Sequence, residues 1–135
     1  MSTRANIIIK DGYSTLYFYR HSDGYPEGTL PTLEKFLNLV KEGKIRNNTA
    51  QAAGWLIILG AEEYKSRQVE YKERMKNGFE GEQDIVNKRF GDLIPAEPLN
   101  DWKVGAYEPT TGIHGDVEYI YTIDLDKMEI TYKSV

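Results

Sequence analysis

Near the start of the chain, two runs of β-branched and aromatic residues, Ala5 to Lys10 and Tyr13 to Arg20, flank the dipeptide Asp11-Gly12. Asp-Gly tolerates the positive φ of a tight turn between antiparallel strands, so this stretch predicts a β-hairpin. Side chains alternate along a strand, which sets Leu16, Phe18 and Arg20 on one face and Tyr13, Tyr17, Tyr19 and His21 on the other. The pattern leaves open which face meets the core.

The turn formers His21-Ser22-Asp23-Gly24-Tyr25-Pro26-Glu27-Gly28 follow. Thr29 then suits an N-cap with Pro31 in the first turn, and Leu30, Leu33, Phe36, Leu37 and Val40 keep helical spacing up to a stop at Gly43, which predicts a helix over Pro31 to Glu42. A second helix is expected after Asn48, with Gln51 completing a capping box. Its first half, Ala50 to Ala61, is apolar nearly all round and reads as buried, with Gly54 and Gly60 as sites of close backbone approach. From Glu62 to Lys76 the chain turns strongly charged, which predicts a largely solvated helix. A turn over Asn77 to Gly81, a short helix over Gln83 to Phe90 and a connector stiffened by Pro95 and Pro98 complete the middle.

The last third returns to strand patterns: Trp102, Val104 and Ala106; then Val117, Tyr119, Tyr121 and Ile123; then Met128, Ile130 and Tyr132, the last two runs joined by a turn over Asp124 to Lys127. The order β-β-α-α-(α)-β-β-β predicts an α+β fold with a single antiparallel sheet of about five strands and helices packed on one face. At 135 residues, with 40% hydrophobic and 28% charged residues, the chain fits a single domain over 1–135, with a charged segment at about 62–100.

Charge and composition bound function. Net charge is −4, and basic residues are dispersed, which argues against long nucleic acids as partners while leaving a small anionic ligand open. The absence of cysteine removes disulfides, thiolate metal sites and cysteine nucleophiles, and points to a reducing, cytoplasmic setting. The apolar run Ile7 to Ile9 is too short for a signal-peptide core or a membrane span.

Polar chemistry concentrates in two strand-edge loops. Arg20-His21-Ser22-Asp23-Gly24-Tyr25-Pro26 gathers a guanidinium, an imidazole, a hydroxyl, a carboxylate and a phenol at the exit of a strand, although turn chemistry alone selects the same residue types, with Gly24 supplying positive φ. Glu108 to Asp116 carries the other histidine, so both histidines, His21 and His114, occur as His-x-Asp. A carboxylate beside an imidazole raises its pKa and fixes its tautomer, which suits acid-base work or recognition of a polar ligand if the loops converge. His21, Asp23, His114 and Asp116 would form an N2O2 metal set, but no spacing such as H-x-x-x-H holds two ligands on one element, and no metal or cofactor is expected. Phosphate-loop and nucleophile-elbow spacings are absent. Most of the ten tyrosines read as cross-strand packing, with an aromatic platform as the alternative if one sheet face is bare.

Ser2-Thr3-Arg4, a short apolar strand, and Phe18-Tyr19-Arg20-His21-Ser22-Asp23-Gly24-Tyr25-Pro26-Glu27-Gly28 together resemble a group of small phage and prophage proteins. That group has an S-T-R start followed by an H-x-D-G-Y-P-E-like loop, and Gly115 to Tyr121 looks like its terminal strand. The likeness covers both ends of the chain and implies context rather than chemistry: an accessory protein of the host cytoplasm, such as a host-defence antagonist, that binds a host protein or sequesters a small molecule.

The sequence thus favours a non-catalytic binding protein for a small polar or nucleotide-like ligand, with Arg4, Arg20, His21, Asp23, Tyr25, His114 and Asp116 as the site. A metal-independent hydrolase or phosphoesterase using His21 and His114, and a module that docks on a host protein, are the alternatives. No membrane partner is expected, and a homo-oligomer is allowed for.

Overall fold

The computed structural model describes residues 2–75 and 105–135, and the side chains of the long second helix as far as Ser66. The elements are β1 (Ala5–Lys10), β2 (Thr15–Arg20), α1 (Pro26–Lys41), α2 (Thr49–Met75), β3 (Glu108–Thr110), β4 (Tyr119–Asp124) and β5 (Glu129–Ser134). The fold is α+β, with one five-stranded sheet in the order β3-β2-β1-β4-β5. Three of its pairings are antiparallel, as expected, but β1 and β4 run parallel. A parallel neighbour needs a crossover of a dozen or more residues, which everything between β2 and β4 supplies, and alternation within a strand carries no trace of that direction.

The helices pack on the face that carries Leu16, Phe18 and Arg20. In register, Ile7 lies between Phe18 and Tyr121, and Ile9 between Leu16 and Ile123. Leu33, Phe36, Leu37 and Val40 of α1 and Ala52, Ala53, Leu56 and Leu59 of α2 close over them. Each large apolar side chain fully buried here contributes about 1.5–3 kcal/mol.

Local chemistry departs from expectation at several points. The first turn is a four-residue loop, so β2 begins at Thr15 and Tyr13 is fully exposed. Gly12 has no positive φ. The turn is made instead by Asp11, whose Oδ1 accepts the amides of Tyr13 and Ser14 (2.7 and 2.8 Å), while its Oδ2 accepts the Thr49 hydroxyl (2.7 Å) at the start of α2. These bonds, the Thr49 hydroxyl foremost, pull the Asp11 carboxyl down to about 2.

Helix α1 starts at Pro26, five residues before the expected start at Pro31, with Pro26 in its first turn and Pro31 inside it. Pro26 sits where amides lack helical acceptors anyway, whereas Pro31, the sixth residue, forgoes the bond its amide would make to the Glu27 carbonyl. Its other end follows the sequence: Gly43, at φ +77°, donates to Val40 O and Lys44 to Leu39 O, the paired bonds of a Schellman cap. Asn48 accepts the Gln51 amide (3.2 Å), but Gln51 takes a bond from Arg46 rather than reaching back.

One continuous helix, α2, covers both the apolar stretch and the charged run up to Met75. Of its two glycines, Gly54 has open space around it, whereas a Cβ on Gly60 would meet the Tyr107 ring at 2.6 Å and one on Gly105 would meet the Ala61 backbone at 2.6 Å. The Ala106 amide donates to Gly60 O (3.0 Å) across this contact. Gly105 and Ala106 therefore run against a helix, and the strand expected through Ala106 appears instead as β3 at Glu108–Thr110. Trp102 and Val104 lie outside the described residues, as do the expected turn at 77–81, the helix at 83–90 and the proline connector. Val117 is buried just before β4, and Met128 takes a positive φ of 52° as the last residue of the β4–β5 turn.

Candidate functional site: a two-histidine rim

The face of the sheet opposite the helices carries Tyr17 and Tyr19 of β2, Asn6 and Ile8 of β1, and Glu108 and Thr110 of β3, by register. Over one end of it folds the loop 111–117. Its clamp is Asn6, a polar residue inside an otherwise apolar strand and fully buried. The Asn6 amide nitrogen donates to Phe18 O (2.9 Å) and Gly112 O (3.4 Å), and its Oδ1 accepts the His114 amide (2.8 Å). A buried side-chain amide with both ends bonded fixes whatever it holds, because releasing it would strand polar groups away from water.

That clamp brings the two histidine loops together on Tyr19. The His114 ring stacks on the Tyr19 ring at 4.3 Å between centroids and 16° between planes, and the His21 ring lies 6.0 Å away. The hydrogen bonds of the imidazoles go to hydroxyls rather than to the carboxylates of the His-x-Asp pattern: His21 Nδ1 to Tyr19 (2.9 Å), His114 Nε2 to Thr110 (2.9 Å). Burial first, and the Asp116 carboxylate next, push the Tyr19 hydroxyl above its ordinary value. It therefore stays protonated, and it donates to or accepts from His21 Nδ1 according to the tautomer of the imidazole. Asp116 itself pairs with Arg4 (2.9 Å) at the edge of the same rim.

Four of the seven residues singled out by sequence thus share the rim: Arg4, His21, His114 and Asp116. Asp23 and Tyr25 serve the turn into α1. Asp23, not Gly24, takes the positive φ (58°), which aspartate tolerates better than most side chains, and its carbonyl accepts the Thr29 hydroxyl (2.9 Å). Gly24 is needed for space instead, since a Cβ there would meet Ala5 Cβ at 2.8 Å. Tyr25 caps α1 through its backbone carbonyl, which accepts the amides of Gly28 and Thr29.

Arg20 is the clearest correction. It is 1% exposed and points to the helix side, where it meets Glu63 of α2 (2.7 Å), donates to Ser22 O (2.8 Å) and Gly28 O (3.2 Å), and lies over the Tyr107 ring at 5.1 Å. The Tyr107 hydroxyl is buried beside Thr32 and Arg20 without a well-formed hydrogen bond, and burial pushes it up to about 12. Thr32 donates to Glu63, and a cleft of about 100 Å³ lies alongside, lined by Thr32, Lys35, Leu59, Glu62, Glu63 and Ser66. Such a volume is several-fold below the roughly 300–1,000 Å³ of ordinary ligand pockets. This second polar cluster is a strut between β2, α1 and α2.

Glu63, Tyr107, Thr110 and Asn6 escaped the sequence reading, and Tyr19 entered it only among the strand tyrosines of the alternative aromatic platform. Arg20 carried a signal as a polar residue in phase with the buried Phe18, and Asn6 carried one as a polar residue inside an otherwise apolar strand. Among the described residues no three His, Asp or Glu side chains gather closely enough to hold a metal, and no described helix is long and apolar enough to cross a membrane. In comparisons with known proteins, no family model, no curated protein and no solved structure matches the chain.

Proposed function

We propose that this chain is a non-catalytic binding protein whose two-histidine rim takes a small polar, nucleotide-like ligand. The observation that carries the reading is the convergence of both imidazoles on Tyr19 with one nitrogen each, His21 Nε2 and His114 Nδ1, left without a protein partner among the described residues. In the tautomers whose bonded nitrogens accept from the hydroxyls, both remaining positions are N–H donors, matched to a carbonyl, carboxylate or phosphate oxygen. The exposed His114 ring offers its outer face to a planar base, extending the stack begun on Tyr19. The likeness of both chain ends to phage proteins would place this binding in a host cytoplasm, as sequestration of a small signal molecule in antagonism of host defence.

A thermal-shift screen of the whole chain against mononucleotides and cyclic nucleotides tests the reading. A binder should raise the melting temperature, and His21→Ala and His114→Ala should each abolish the rise while folding normally. A flat response across the panel, with amide chemical shifts around Tyr19 unmoved by any compound, would sink it.

The same pair of unspent nitrogens favours one second reading, a metal-independent phosphoesterase with His21 and His114 as acid and base. Turnover of a phosphodiester by the purified chain, lost in both histidine variants, would replace binding by catalysis.

A further inference from the structure

The two edges of the sheet are built differently. β3 has three residues, one of them Pro109, which has no N–H to offer. β5 has six residues and no proline, and among the described residues nothing pairs with its outer side. Edges of the second kind template pairing with another strand.

The hydrogen-bond phase of β5 is readable. Val135 N–H donates to Glu118 O (2.8 Å), and the register runs from Tyr119 opposite Ser134 to Asp124 opposite Glu129. Antiparallel ladders alternate, so Glu129, Thr131 and Lys133 turn their peptide groups toward β4, and Ile130, Tyr132 and Ser134 turn theirs outward. By side chain, Ile130 and Tyr132 lie on the helix side with Ile123 and Tyr121, while Glu129, Thr131 and Lys133 lie on the other face.

We propose that β5 pairs antiparallel with β5 of a second copy about a two-fold axis through Thr131, joining the two sheets into one. In this register the outward-turned peptide groups of Ile130 and Tyr132 bond those of Tyr132 and Ile130 in the second copy. On the helix side the half-exposed Tyr132 gains Ile130 of the other chain as its opposite neighbour. On the far face Glu129 stands opposite Lys133, twice, by symmetry. Charge selects this axis over its neighbours: an axis through Tyr132 leaves both charges opposite uncharged residues, one through Ile130 sets Glu129 opposite Thr131 and Lys133 beyond the start of the other strand, and two residues either way sets Glu129 or Lys133 against its own copy, which is unfavourable. The homo-oligomer that the sequence allows for thereby acquires a defined interface.

Sedimentation equilibrium of the full chain tests this, because the diagnostic positions 129, 131 and 133 are all exposed and their variants keep the fold. A concentration-dependent dimer is expected. Glu129→Lys and Lys133→Glu should each weaken it by roughly tenfold, and the double swap should restore it, since opposed charges in cross-strand pairs become like charges and then opposite again. The chain has no cysteine of its own, so Thr131→Cys should form an intermolecular disulfide across the axis under mild oxidation. A monomer up to millimolar concentration, a dimer indifferent to single charge reversals, or cross-linking of Lys133→Cys in preference to Thr131→Cys would each overturn the proposal.

Discussion

Two arginines sixteen positions apart in the sequence hold opposite stations in this molecule. Arg4 and Asp116 form an ion pair with 40% and 54% of their side chains exposed, beside the two-histidine rim. Arg20 and Glu63 form one with 1% and 15% exposed, under the helices. The chemistry is the same and the energetics are not. The exposed pair gains little over hydration and is screened by salt, whereas the buried guanidinium must find its partners locally: Nε and Nη2 meet two carbonyls and a carboxylate, the group lies over an aromatic face, and Nη1 has no hydrogen-bond partner among the described residues. One arginine can part from its partner at small cost, and the other ties β2 to both helices.

The largest effect should come from severing the buried tie. Arg20→Ala strips the guanidinium from Glu63 and leaves the Ser22 and Gly28 carbonyls without their donor, so we expect about 3–5 kcal/mol lost in urea denaturation. Arg20→Lys should recover only part of it, because one ammonium cannot reproduce a planar fork. A loss below about 1 kcal/mol, the ceiling for surface pairs, would erase the distinction between the clusters.

Alkali attacks the same cluster. Burial holds the Tyr107 hydroxyl at about 12 in the folded chain, against the ordinary 10.0. Because the folded-state value is raised, this contribution is fully present below pH 10 and is lost as pH rises toward 12, amounting to roughly 2–3 kcal/mol for a shift of that size. Tyr121, also pushed up to about 12 by burial, adds to the same limb. Tyr107→Phe removes a hydroxyl that has no well-formed bond, so it should be near neutral at pH 7 and should flatten the fall above pH 10. A steep alkaline fall unchanged in that variant would move the effect elsewhere.

At the rim the corresponding keystone is Asn6. Asn6→Ala unties the 111–117 loop from β1, which should cost about 1–2 kcal/mol and release His114 from Tyr19. Proton shifts of the His114 ring report it directly: the ring-current displacement from Tyr19 should collapse, and any ligand response at the rim with it. A ring that stays stacked would show that Tyr19 and Thr110 suffice to place it.

How much of this was legible follows the range of the physics involved. Alternation in β1, β2, β4 and β5 and helical spacing in α1 are local, so the α+β class and most strands could be read directly. The Schellman cap at Gly43 is equally local. Direction and order are not: nothing in the Ile7 to Ile9 run says that its neighbour on one side is parallel and comes from the far end of the chain. The site split along the same line. Alternation put Arg20 in phase with Leu16 and Phe18 and put Tyr19 with His21, which already separates the strut from the rim. What it lacked was which face the helices cover, so Arg20 was grouped with residues it faces away from. Glu63 and Tyr107 carry no local signal, since each matters only through partners more than thirty residues away in the sequence.

The smallest expected effect is the other half of the opening contrast. Arg4→Ala removes a solvent-exposed ion pair whose worth is about 0–1 kcal/mol, so the denaturation midpoint should barely move, and what change there is should fade at high salt. The Glu118 amide still donates to the Arg4 carbonyl (2.8 Å) in the variant, because that bond belongs to the backbone. What Arg4→Ala should alter is the electrostatics of the rim: Asp116 loses its counter-charge beside Tyr19, the hydroxyl is held higher still, and an anionic ligand meets an uncompensated carboxylate. Weaker binding of anionic nucleotides at unchanged stability is the signature of a surface residue held for recognition. A loss of stability comparable to that of Arg20→Ala would instead make Arg4 a second strut and leave the rim without a cation to spare.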